Sequence, residues 1–135
     1  IIYFHIQRIL FDFNSKKITE FTSFDLKAYI LSCLPLKKIN ETEIDYIKFI
    51  VDNQIDKIGV HKSYNFLEHS KFINNLIEIK NILLFFKSKK SNLFDEVILK
   101  MTSILNEYFH LDGSLALFNG TNNVYTINIF NSLKK

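Results

Sequence analysis

The chain has 135 residues, 47% of them apolar and 15% aromatic, with a formal net charge of +3. That length suits one ordinary domain, and the aromatic content argues against a disordered chain, which lacks the apolar surface needed to fold. The charge permits an anionic partner without requiring one, and the basic clusters Lys87, Lys89, Lys90 and Lys134-Lys135 carry no interleaved aromatics, so no nucleic-acid partner is expected.

Five segments have helical periodicity. The first spans about residues 1–13, with Ile2, Ile6, Ile9, Leu10 and Phe13 on one face, and is broken by Asn14-Ser15-Lys16-Lys17. The second spans about 22–34, and Pro35 is expected to end it because the residue before a proline is disfavoured in the α region. It carries Cys33, the lone cysteine, on an apolar face with Leu26 and Ile30, where a cysteine packs as a small hydrophobe. No disulfide within the chain is possible, so the compartment is not readable from it.

The third segment starts at Asn40, an N-cap with Glu43 three residues on, and fades at Gln54. The fourth runs from about Phe66 to Lys87 and is apolar on more than one side, the pattern of a helix sandwiched between others. The fifth is capped by Ser91 or Asn92 and runs to Phe109. Residues 123–133 read equally as a short strand or a helix start. Helices alternating with short connectors predict an all-α fold of antiparallel hairpins. The longest strongly apolar run, Ile82 to Phe86, is too short to span a bilayer.

Glycine is confined to two loops. Gly59 lies in Ile55-Asp56-Lys57-Ile58-Gly59-Val60-His61-Lys62-Ser63, and Gly113 and Gly120 bracket the stretch after His110. Loops that carry both glycine and histidine on a helical scaffold are the best functional candidates. His61 and His69 stand eight residues apart, about 12 Å if both were helical, too far to share a metal ion. No nucleotide-binding glycine pattern, nucleophile elbow or cofactor signature is present, so no cofactor is expected.

The two loops resemble those of the heparinase II/III family of polysaccharide lyases. His110-Leu111-Asp112-Gly113-Ser114-Leu115-Ala116-Leu117-Phe118-Asn119-Gly120 is similar to the family's stretch in which a helix ends in His-x-Asp-Gly and runs on to a Phe-Asn turn. Gln54-Ile55 through Gly59-Val60-His61-Lys62-Ser63 is similar to its upstream Gln-Ile-Leu-Pro-Asp-Gly-Gly-His loop. The likeness covers residues 54–120.

It implies that residues 1–135 form part of an (α/α) toroid followed, beyond this chain, by a β-sandwich domain. It also implies β-elimination on a uronate-containing acidic polysaccharide, with periplasmic or secreted proteins as the family's setting. Carried onto this sequence, the catalytic candidates are His61, Tyr64 and His69. The substrate-binding candidates are Lys62, Asn65, His110 and Asn119. The family's tyrosine, about seven residues after the loop histidine, is replaced here by Glu68, and the Asn-His pair of an earlier helix is not found. A catalytically inactive glycan-binding or scaffold protein on the same fold is the alternative reading.

Overall fold

A computed structural model describes residues 2–36 and 39–110, with side chains from Phe4 onward. Among these the fold is all-helical, as the periodicity predicts. Five helices follow in order: α1 (Ile2–Ser15), α2 (Ser23–Leu36), α3 (Glu41–Asn53), α4 (Phe66–Phe85) and α5 (Asp95–Glu107), with 3₁₀ turns at Ile18–Glu20 and Ser91–Phe94.

Each helix begins or ends for a local reason. Asn40 caps α3 by accepting from the Thr42 N–H at 3.1 Å. Glu43, three residues on, lies against Tyr29, where it adds to the burial that pushes the phenol pKa up. Asn65 caps α4 by accepting from the Glu68 N–H at 3.1 Å. Helix α4 closes on a left-handed residue, Lys87 (φ 55°), with the Ser88 N–H reaching back to the Leu83 carbonyl at 3.0 Å.

Two boundaries differ from expectation. Helix α2 continues through Pro35 to Leu36. Pro35 deprives one carbonyl, that of Leu31, of its N–H partner, close to the final carbonyls of the helix, which have none within it either. Ser91 opens a 3₁₀ turn rather than α5 itself, which starts at Asp95.

Helix α4 is the centre of the packing, lying against both α2 and α5, while α1 packs on α2. Its core face, Phe72, Ile73, Leu76, Ile79 and Leu83, is fully buried and merges with Leu26 and Ile30 of α2, Ile44, Ile47 and Ile50 of α3, and Met101 of α5. The wide apolar stripe read from the sequence therefore reflects helices on several sides of α4. Cys33 is buried with this cluster, and burial pushes its thiol up to about 11. No helix among the described residues is long and apolar enough to cross a membrane. The second glycine-bearing loop, Asn119 included, and the stretch 123–133 lie outside the described residues.

Candidate functional site

The connector between α3 and α4 is a compact hairpin-like loop. Ile55 and His61 form an isolated antiparallel bridge, and the Lys62 N–H donates to the Gln54 carbonyl at 2.9 Å. Gln54 also donates its side-chain amide to the Phe21 carbonyl at 3.0 Å, which pins the loop to the α1–α2 connector. Inside the loop, Asp56 Oδ1 accepts from the N–H groups of Ile58, Gly59 and Val60 at 3.0, 2.9 and 2.8 Å. One carboxylate oxygen thus satisfies the donors of the whole turn, the Asx arrangement carried to three residues.

Gly59 sits at φ +101°, and a Cβ there would meet Lys100 Cγ of α5 at 2.8 Å. Conformation and close approach both require glycine at this position. Lys100 lies across the loop and donates its ammonium to the Lys57 carbonyl.

His61 follows the turn. Its Nδ1 accepts from the Ser63 N–H at 3.2 Å and lies 2.8 Å from Ser63 Oγ. The Asn65 N–H donates to that hydroxyl oxygen at 3.2 Å, which leaves the hydroxyl proton for His61. Nδ1 is therefore bare, and the imidazole carries its proton on Nε2. The ring packs on Phe72 with centroids 5.0 Å apart. Burial, then the neighbouring His69, lowers the pKa of His61, while Glu68 works the other way. The net result is a neutral ring at neutral pH.

Tyr64 donates its N–H to the His61 carbonyl at 2.8 Å and holds a left-handed conformation, φ 50°. Its side chain is 55% exposed. A tyrosine at positive φ is uncommon and places a bulky side chain outward on a tight turn. Lys62 is exposed beside it.

The other candidates differ from this pair, although His69 stands directly against His61 because the intervening residues form a loop and not the helix that would hold them about 12 Å apart. His69 has no solvent exposure, and both its ring nitrogens are engaged by backbone: Nδ1 with the His61 N–H at 3.2 Å, Nε2 with the Met101 carbonyl at 2.9 Å. The side-chain oxygen of Asn65 is committed to the α4 cap. His110 is exposed beyond the end of α5. No group of three or more potential metal-ligating side chains occurs among the described residues.

Next to the loop, an open groove of about 570 Å³ runs between the start of α2 and the outer side of α4. Thr22, Ser23, Phe24 and Lys27 line one wall, and Glu68, Lys71, Asn74, Asn75 and Glu78 the other. Lys27 pairs with Glu78 at 2.6 Å, Lys71 with Glu68 at 2.8 Å, and Asn75 Nδ2 donates to Ser23 Oγ at 2.8 Å. Phe24 is 70% exposed at the rim. Glu68, whose charge acts on His61, joins the groove to the loop. Sequence reasoning missed this groove, since its walls come from segments some fifty residues apart. The exposed Phe24 just after Ser23 was the one local signal.

Compared with family models, curated proteins and solved structures, the chain matches none.

Proposed function

We propose that the chain binds an acidic oligosaccharide along the groove between α2 and α4, with the His61 loop contacting one end of the ligand. The observation that carries this reading is the groove's chemistry: two lysines, each paired with a glutamate, two asparagines and an exposed phenylalanine on one open face. The lysines are held by exposed glutamates in pairs worth about 0–1 kcal/mol, so an incoming uronate carboxylate can take either one. The asparagines suit sugar hydroxyls, and the face of Phe24 suits the apolar side of a pyranose ring.

His61 acts here as a hydrogen-bond donor. Its bare nitrogen is held by Ser63, which leaves Nε2–H for a ligand carboxylate or hydroxyl. A base that removes the C5 proton needs a free lone pair, so this tautomer favours binding over elimination. A lyase reading on the same face is carried by Tyr64, exposed three residues after His61. Its phenol would then supply the proton transfer.

Titration calorimetry with a uronate tetrasaccharide tests the binding reading. Lys27→Ala, Lys71→Ala and His61→Ala are each expected to weaken binding about 10- to 150-fold, in line with losing one hydrogen bond to a charged group. No binding by the unaltered protein at millimolar ligand overturns it. An unsaturated uronate product that disappears in Tyr64→Phe would establish the lyase reading instead.

A further inference from the structure

Between the His61 loop and α5 lies an imidazole sealed from solvent. His69 Nδ1 accepts from the His61 N–H, and Nε2 faces the Met101 carbonyl. One nitrogen must be bare and the other protonated, which only the neutral Nε2–H tautomer provides. We propose that His69 is a proton-operated latch that clamps the His61 loop to α5 when neutral and releases it when protonated. The latch stands on this geometry and not on what the loop binds.

A proton on Nδ1 would set two N–H donors against each other at the 3.2 Å now spanned by one bond. The bond to Met101 survives protonation, because Nε2 remains a donor. The strain therefore falls on the loop side, and the His61 N–H must turn to water. The loop is the weaker partner, since Lys57, Lys62, Ser63 and Tyr64 are all exposed, whereas Met101 is fully buried.

The charged groups around His69 act in both directions. From the loop, the Asp56 carboxylate favours the cation, yet its Oδ1 is shared among three amides. His61, also on the loop, disfavours a second positive ring beside it. On α4, Glu68 lies one residue before His69 and faces the exposed groove. On α5, the ammonium of Lys100, the residue before Met101, is turned to the Lys57 carbonyl. Phe66 stands between the rings of His69 and Tyr108. Burial is the largest influence and holds His69 below the ordinary histidine value. The latch is thus closed at neutral pH and opens in acid below about 6.5.

The test is a nitrogen-15 titration of the intact chain from about pH 8 to about pH 5, reading imidazole and amide signals together. The expected result has three parts. His69 is the Nε2–H tautomer at the neutral end; its midpoint lies below about 6.5; and the amides of Gly59 and His61 lose exchange protection on the order of tenfold with that same midpoint, more than those of α2, which report only the fall in global stability. In His69→Gln the loop step vanishes and the His61 ring still titrates. An Nδ1–H tautomer at neutral pH, loop amides that ignore the His69 midpoint, or loop amides that lose no more protection than those of α2 would each overturn the latch. The unaltered protein alone decides this if the glutamine variant does not fold.

Discussion

Replacing Gly59 by alanine tests the loop at its tightest point. The residue sits at φ +101°, where an L side chain costs about 1–3 kcal/mol. The new Cβ would also lie 2.8 Å from Lys100 Cγ, closer than atoms tolerate. The lysine stem is flexible and swings aside, losing its hydrogen bond to the exposed Lys57 carbonyl at a cost of about 0.5–1.5 kcal/mol. Alanine restricts the unfolded chain and returns about 0.4–1 kcal/mol. The net destabilisation is about 0.5–4 kcal/mol, centred near 2, which moves the urea midpoint down by about 1 M. Combining the substitution with Lys100→Ala separates the two contributions, because without the stem only the backbone cost remains. The cycle should therefore show a coupling of about 0.5–1.5 kcal/mol. A Gly59→Ala protein within about 0.5 kcal/mol of the parent, or a coupling of zero, would refute the reasoning.

Other perturbations give distinct signatures. Leu76→Ala empties a fully buried position on α4 and should cost about 2–5 kcal/mol in chemical denaturation. Asp56→Ala strips the loop of a three-fold acceptor and should cost about 1–3 kcal/mol, whereas Asp56→Asn keeps an acceptor oxygen and should cost less; the order of the two urea midpoints checks this. Acid should weaken the fold through His61 and His69. Both have lowered pKa values when folded, so each binds its proton more weakly in the native than in the unfolded chain. The stability they contribute is complete above about pH 6.5 and is lost as the pH falls through the folded values. Urea midpoints should therefore stay level above about pH 7 and decline below about pH 6, and a rise on acidification would contradict the assignment.

The helices were legible because each carries its own instructions. Periodic apolar residues, the Asn40 cap and the run from Phe66 all act within a few residues of one another, and the observed elements follow them closely. Pro35 misled because the rule about residues before proline is a preference, which packing of the α2 face overrode. Asn65 looked like a polar group near the loop histidine, but its offset of three residues from Glu68 is cap geometry.

The site was legible only in outline. Gly59 and His61 marked the right loop. The turn signal Asp56-x-x-Gly59 was present too, and the physics of aspartate at turns assigns it the role the structure shows. The engagement of His69 was hidden, because the Met101 carbonyl lies 32 residues away in sequence. The groove was hidden for the same reason: its two walls meet only through the packing of α2 against α4.

The reach of the Asp56 carboxylate over three successive amides bears on how this surface can change over generations. The loop's shape is fixed by the Asp56 carboxylate, the backbone amides of 58, 59 and 60 and the buried Val60 side chain, while the side chains of Lys57 and Ile58 project outward and Lys62 stands exposed after the turn. Positions that determine shape and positions that meet a ligand are therefore different positions. Mutations at 57, 58 and 62 alter what the loop displays at little expense to folding, so binding preference can drift while the scaffold is held constant. A loop organised in this way can be retuned to new partners one exposed side chain at a time.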